Sequence, residues 1–538
     1  MLAAMPTATN PPPRDEPPIP VRLDACPGTL RLHSADDGAL ARVRVPGGVL
    51  TAAQADALAD AALRLGDGSL HLTSRGNVQL RGLDGDCGAA LAGLLDAAGL
   101  LPSYRHERVR NIVASPLSGL DGAGHADVRD WLRGLDGLLC ASDAATALSG
   151  RFLFALDDGR ADVAALGADV TLIALGGGDA LDGGALLHVG AADGALRVRA
   201  ADGPRAALTA AEVFLDAAAE SRSNTAAESR SNAATESRSN AAVESRSSAA
   251  VESRPRTWRV RDLPDGADVL VRETARRLDA AGIPCAYAET ATATDAATAT
   301  ATDTERTSPP TGAAPPAPGI IEGPGGLRAL SVLAPLGTLT AAQWRLLTDV
   351  ARKDGAGELR LTPWRGVVVP GLCQESADAR LRELAAAGLI TDPASPWHGV
   401  GACIGRPGCA KSLADVRADA ATALGAGGGL PVYWSGCARR CGHPQGDWVD
   451  VVATPEGYEV DGYRVTEHGD RLRTVVTDTA DMNGSSDVSD VSESTDVPAP
   501  TGAPGPAGAP GPADGRTPAD LAVAVAAART SAAAPATT

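Results

Sequence analysis

The chain is 538 residues long, with 48 Lys and Arg against 66 Asp and Glu for a formal net charge of −18. Such an acidic balance argues against nucleic acid or an anionic membrane as the main partner. No stretch is apolar for long enough to span a bilayer and the N-terminus lacks a basic-plus-apolar leader, so a soluble, cytoplasmic protein is expected.

In chain order, residues 1–20 are Pro-rich and expected to be disordered. Residues 21–101 carry the first regular elements: a strand at Ala41–Val45, then a Thr51-x-x-Gln54 capping box that opens a helix. Ser69–Thr73 alternates apolar and polar residues as a half-buried strand, Val78–Leu80 returns beside it, and Ala89–Ala98 is a helix stopped by Gly99. Residues 102–216 form a further folded unit. In residues 217–255 the octapeptide Glu-Ser-Arg-Ser-Asn-x-Ala-x recurs, with Glu at 220, 228, 236, 244 and 252. Residues 256–287 are either the end of the preceding unit or a connector, and 288–318 are an Ala/Thr/Pro run. Residues 319–392 repeat the pattern of 21–101, residues 393–476 hold paired cysteines, and 477–538 are a Ser/Asp then Pro/Gly/Ala tail. The repeat, the Ala/Thr/Pro run and the tail lack the apolar bulk to offset their ordering entropy, so all three are read as disordered. Ala519–Arg529 is compatible with a helix, but nothing is assigned to it. About 385 residues remain, enough for two or three domains with proper cores.

The repetition is explicit in the residues. Leu50-Thr-Ala-Ala-Gln54 recurs as Leu339-Thr-Ala-Ala-Gln343, an offset of 289 positions. Held without a gap, that offset lays Gly66 and Gly68 on Gly355 and Gly357, and Leu70-x-Leu72-Thr73 on Leu359-x-Leu361-Thr362. The second copy thus has a strand at Ala329–Leu333, a Thr340-x-x-Gln343 box, strands at Glu358–Thr362 and Val367–Val369, and a helix at Ala377–Ala387 ended by Gly388. Each copy has the form of a ferredoxin-like half-domain, giving an α+β fold class. Two related halves packed about a pseudo-twofold axis leave a large cleft between them.

Four cysteines carry the chemistry: Cys403 and Cys409 with five residues between them, then Cys437 and Cys441 with three. A helix is expected between the pairs, at Ala410–Leu424, followed by a Gly-rich turn. Four thiolates on two loops are what a 4Fe–4S cluster requires. Structural zinc also accepts four thiolates, usually on tighter pairs. Cys26, Cys87, Cys140, Cys285 and Cys373 read as core or incidental thiols, because an odd total of nine with four in ligand-like pairs leaves no disulfide framework.

With Thr73-Ser-Arg-Gly-Asn-Val-Gln79, Arg110-Asn111 and the two cysteine pairs, the chain resembles the sirohaem-type nitrite and sulfite reductases. Within that superfamily it is most similar to the precorrin-3B synthase branch of aerobic cobalamin biosynthesis. Cys26-Pro-Gly28, Arg108–Pro116, Leu361-Thr-Pro-Trp-Arg-Gly366 and Ser435–Pro444 carry that finer likeness. The resemblance covers the foldable residues, implying reductase-type α/β units at 102–216 and 393–476, the latter bearing the cluster. Two positions depart from the reductases. Where those present Lys-Phe-Lys to hold a small oxyanion, this chain has Arg151-Phe152-Leu153, and the second cysteine loop reads Cys-Ala-Arg-Arg-Cys.

The resemblance implies a wide pocket for a tetrapyrrole bearing acetate and propionate arms, for which arginine forks are the natural partners. Arg75, Arg110, Arg151 and Arg365 are the candidates, with ordinary surface arginines as the alternative. Asn77, Gln79 and Asn111 either orient the macrocycle or pin strand turns. Arg81, Arg105 and Arg108 are left among solvated arginines, and His106 and His443 among packed or solvated histidines. The implied activity is O2-dependent hydroxylation of precorrin-3A at C20 with γ-lactone formation, electrons arriving from a donor through the cluster. A second, non-haem iron is implied as well, with no ligands nominated. No catalytic side chain is singled out. A sirohaem-dependent sulfite or nitrite reductase is the alternative.

Overall fold

A computed structural model of the chain describes residues 27–176, 184–239, 257–264, 266–289, 315–425, 429–444, 448–460, 463–465, 471–473 and 518–531. The first half-domain comprises β1 (His33–Ala35), β2 (Gly38–Val43), β3 (Val49–Thr51), α1 (Ala52–Leu65), β4 (Ser69–Leu72), β5 (Val78–Leu83) and α2 (Gly88–Ala97). The first α/β unit follows with β6 (Ile112–Ala114), α3 (Arg129–Ala141), β7 (Phe154–Asp157), β8 (Val170–Ala174), β9 (Gly184–Val189), β10 (Gly194–Arg199), α4 (Gly203–Ser239), α5 (Ala267–Ala280) and β11 (Cys285–Glu289). The second half-domain has β12 (Gly319–Glu322), β13 (Arg328–Leu333), β14 (Thr338–Thr340), α6 (Ala341–Lys353), β15 (Glu358–Leu361), β16 (Gly366–Leu372) and α7 (Gln374–Ala386). The second α/β unit has β17 (Val400–Ala402), α8 (Val416–Thr422), β18 (Val432–Ser435), β19 (Val449–Thr454), β20 (Gly457–Val460), β21 (Tyr463–Val465), β22 (Arg471–Arg473) and α9 (Pro518–Ser531).

Both capping boxes form as the sequence requires. Thr51 accepts from Gln54 N while Gln54 answers the Thr51 N–H, and Thr340 and Gln343 repeat the arrangement. The half-domains are crossed rather than merely adjacent. The sheet order β1-β2-β5-β4-β14 ends on a strand from the second half, and β12-β13-β16-β15-β3 ends on one from the first. The registers are symmetric: Leu339 pairs with Leu70, and Leu50 pairs with Leu359, each pair related to the other by the sequence offset. One apolar core therefore serves both copies, with Leu50, Leu70, Leu339 and Leu359 all fully buried in it. At the axis, α1 meets α6 through equivalent positions of unequal size, Trp344 Nε1 donating to Ala55 O at 2.7 Å. Trp344 is fully buried, so Trp344→Ala is expected to lower unfolding free energy by about 3–5 kcal/mol in a denaturant titration.

The duplication extends further than the sequence shows. In the first α/β unit β6, β7 and β8 run parallel and β8 through β11 antiparallel. In the second, β17, β18 and β19 run parallel and β19 through β22 antiparallel.

Several expectations are corrected. The helix expected at Ala410–Leu424 is only Val416–Thr422: Asp415 caps Ala418 N, and the preceding residues spend their backbone groups on loop contacts such as Leu413 N to Gly436 O. Of the two alternatives for residues 256–287, the end of the first α/β unit is the one observed, since β11 extends its sheet. The linker expected at 217–255 begins as helix, α4 continuing to Ser239. The tail expected at 477–538 contains α9, whose Arg529 donates to Leu430 O at 2.8 Å and His398 O at 3.2 Å. The disordered segments expected at 1–20, at most of 288–318 and at the rest of the linker and tail lie outside the described residues, as does Cys26.

Candidate metal centre and cleft

The four ligand-like cysteines stand on two loops at the ends of parallel strands. Cys403 follows β17, its N–H bound to Trp434 O at 2.9 Å, and its Sγ accepts from Gly436 N at 3.2 Å. Cys409 lies on a loop clasped by the first half-domain. Arg81 donates to Gly408 O at 2.9 Å while its fork grips Asp37 at 2.7 Å twice, and Ala410 N reaches Asp36. Arg81 is only 4% exposed, so it leaves the solvated group to which its sequence context assigns it. Gly436 is required by close approach, because a Cβ there would sit 1.8 Å from Ser412 Oγ. Cys437 and Cys441 close the second loop, where Tyr433 Oη donates to Cys441 O at 2.6 Å and Arg365 Nη2 to Gly442 O at 2.8 Å.

The thiols share one electrostatic environment. Burial pushes the Cys441 thiol up, Arg439 pulls it down, and the neighbouring Cys437, Cys403 and Cys409 push it up again. Burial likewise pushes Tyr433 up to about 12. Four thiols on two loops, each close enough to act on the charge of Cys441, are the donor set that a cubane cluster takes.

Three of the sequence-selected segments meet in a buried lattice. Asn77 Oδ1 accepts from Val45 N at 2.9 Å and Asn77 Nδ2 donates to Asn111 Oδ1 at 3.2 Å. Asn111 Oδ1 also accepts from Arg44 Nη1 at 3.0 Å, while its Nδ2 donates to Phe152 O at 2.9 Å. Arg44 Nη2 reaches Gly150 O at 2.8 Å. Asn77 and Asn111 are 1% and 0% exposed, so both pin segments together rather than face a ligand. Arg110 is corrected in the same way: it is 5% exposed, and Asp136 fills its fork with two 2.7 Å bonds.

The other candidates lie nearer the surface. Arg75 is partly buried on the β4–β5 hairpin, and Arg365 sits on the matching β15–β16 hairpin at φ 61°, with its guanidinium 5.9 Å from the Tyr433 ring centre. Arg151 is exposed and stacks on Trp258 at 3.9 Å. Gln79 Oε1 accepts from Arg42 at 3.4 Å. Leu153 is buried in a small cluster with Val113, Ala155 and Val163, against which Trp364 packs. His106 spends both ring nitrogens on Ser103 and Ser142 O, and His443 stacks on Trp448. Arg44, Arg417 and Tyr433 escape sequence reading because nothing in their local pattern marks them as partners of distant loops.

The first α/β unit holds a twin of the cysteine nest without sulfur. Ser115 follows β6 as Cys403 follows β17, its N–H bound to Leu156 O at 3.0 Å, and its Oγ accepts from Asp158 N at 3.1 Å. Asp157, Asp158 and Asp162 gather there. Asp157 takes four backbone N–H groups and Asp158 takes the Arg160 fork, so their lone pairs are spent within the loop. They anchor it and leave little to offer a cation. Asp162 is 3% exposed, and its Oδ1 accepts from Ser115. Burial pushes its carboxyl up to about 7. The folded state therefore holds this proton more tightly than the unfolded chain, and the group's stabilising contribution is complete below about pH 4 and lost as pH rises through about 7. Asp162→Asn is expected to raise the melting temperature at pH 8, by a gain on the order of 3 kcal/mol, and to leave it unchanged at pH 4.

Comparison with known proteins agrees with this architecture. The family described as nitrite/sulfite reductase ferredoxin-like half domain matches residues 33–98 and again 321–387. A precorrin-3B synthase of Sinorhizobium sp. is 26% identical over 475 residues, spanning 86% of this chain and 87% of its own. A ferredoxin–nitrite reductase of Synechococcus elongatus is 37% identical over 127 residues, covering 22% of this chain and 25% of that protein. The solved structure of the Mycobacterium tuberculosis NirA protein superposes with a TM-score of 0.55 at 18% identity, covering 78% of this chain and 74% of that one. The chain thus carries the nitrite/sulfite reductase ferredoxin-like half domain twice, on the two sheets that exchange strands, within a fold similar to that of the NirA protein.

Proposed function

We propose that this protein is a precorrin-3B synthase, inserting one oxygen atom from O2 into precorrin-3A. The observation that carries the reading is Leu153: where an oxyanion reductase needs a second cation, this side chain is buried beside Trp364. The relative that spans most of the chain bears the synthase name. Cys403, Cys409, Cys437 and Cys441 are assigned as ligands of one 4Fe–4S cluster, which when bound supplies electrons singly. In the balanced reaction one oxygen atom enters at C20 with lactone closure by the ring A acetate. The other leaves as water, with two electrons from an external donor and two protons.

The chain's own residues bind and orient. Arg75, Arg365 and Arg151 are assigned to substrate carboxylates, with Gln79 beside them. Arg110, Asn77 and Asn111 hold the walls on which these stand. For the implied non-haem iron no ligand set is assigned: among the described residues the one gathered group of potential ligands is the aspartate trio, already occupied by the loop's own donors.

The test is the product mass after incubation of the holoprotein with precorrin-3A, O2 and an electron donor. One added oxygen atom, lost when O2 is removed, is expected. Bound sirohaem in the absorption spectrum together with sulfite or nitrite turnover would overturn the synthase reading in favour of a reductase.

A further inference from the structure

Arg417 is the second residue of α8, and its partly buried guanidinium lies directly behind the first cysteine. Its donors all end on neutral oxygens: Nε on Cys403 O at 3.1 Å, Nη1 on Thr338 Oγ1 at 2.6 Å and Nη2 on Leu336 O at 3.2 Å. Among the described residues no carboxylate lies within 4.0 Å of it. The acids on its own helix are turned to other tasks, Asp415 capping Ala418 N and Asp419 accepting from Tyr458 Oη. Of the cations around the nest, Arg81 is neutralised by Asp37 and Arg440 by Asp450, whereas Arg365 and Arg406, like Arg417, donate to carbonyl oxygens, on Gly442 and Ser412.

The first α/β unit supplies an internal comparison. Arg129 opens α3, the helix that follows β6 as α8 follows β17, and there Asp127 compensates the charge. In the second unit the corresponding carboxylate, Asp415, also stands two residues before the arginine, but it caps Ala418 N instead of pairing with Arg417, which leaves the guanidinium's charge to be met by an anion in the cysteine nest. A charge withdrawn from water without a partner is costly. A four-thiolate cluster is such an anion and becomes more negative on one-electron reduction, so a fixed cation beside it favours the reduced form.

We infer that Arg417 is the fixed countercharge of the cluster, placed to poise it toward reduction. This rests on the reading of the four cysteines as cluster ligands. The test is a redox titration of the holoprotein followed by electron paramagnetic resonance, on wild type, Arg417→Gln, Arg417→Lys and Thr338→Val. Arg417→Gln is expected to lower the reduced-to-oxidised ratio at fixed potential about tenfold, a shift of 59 mV for a one-electron couple. Arg417→Lys keeps the charge, and Thr338→Val keeps it while removing one acceptor, so both are expected to titrate with wild type. If Arg417→Gln fails to load a cluster while Arg417→Lys loads and titrates normally, the charge is again responsible. An unshifted Arg417→Gln, or equal shifts or equal loss of loading in the Gln and Lys variants, or a like shift in Thr338→Val, would overturn the inference. Wild-type protein without iron and acid-labile sulfide would instead remove the cluster assignment itself.

Discussion

Serine at any one of Cys403, Cys409, Cys437 or Cys441 is expected to strip the protein of most of its bound iron and acid-labile sulfide. The largest effect is expected at Cys403. Its sulfur is held by Gly436 N, and its backbone is tied to the buried strand β18, so a hydroxyl cannot shift to make up the lost bond length. Oxygen is also the harder donor and the poorer partner for a cluster that selects thiolate. Because the group binds the folded chain and not the unfolded one, its loss also lowers the melting temperature. Iron and sulfide analysis with a visible spectrum checks this. Retention of a full complement in all four single variants would show that the thiols serve another purpose.

Asn111→Ala is the second large effect, and it is expected to fall on stability rather than affinity. The substitution takes one acceptor from Arg44 Nη1 and leaves Asn77 Nδ2 and Phe152 O without the partner Asn111 gave them, in a site with no access to water. Each orphaned buried group costs about 1–3 kcal/mol, so a total near 3–5 kcal/mol is expected. Three segments distant in sequence would lose their common joint, and with it the hairpin that presents Arg75. Urea unfolding monitored by intrinsic fluorescence measures the loss. A variant with wild-type stability and weakened tetrapyrrole binding would return Asn111 to the substrate-contacting side.

Much of this architecture is legible in the amino-acid sequence alone. The capping boxes, the alternating strands and the glycine stops are local chemistry, and Thr51, Thr340, Gly99 and Gly388 mark their elements within a residue or two. The two cysteine pairs stand out by their spacing, and the fold brings their loops together, Gly436 N donating to Cys403 Sγ. The strand exchange is not, since β3 and β14 are three residues each and their partners are chosen by packing across the axis. Nor is the shared topology of the α/β units, which resides in strand direction rather than residue identity. Arg110 and Asn111 sit in a motif that reads as functional, yet their partners Asp136 and Phe152 lie 26 and 41 residues away. Arg417 shows the reverse case, an unremarked helical residue whose meaning depends on a loop brought to it by folding.

The crossed strands bear on how such a chain can be divided. A cut between residues 290 and 314 would separate a fragment that owns β3 from one that owns β14, each sheet then ending one strand short. Asp36, Asp37 and Arg81 would travel with the first fragment and Cys403, Cys409, Cys437 and Cys441 with the second. The two pieces are thus built to complement each other: neither owns a finished sheet edge or all of the contacts that hold the first cysteine loop. Recovery of brown colour on mixing them would report reassembly, with the connecting peptide needed only to keep the partners at high local concentration.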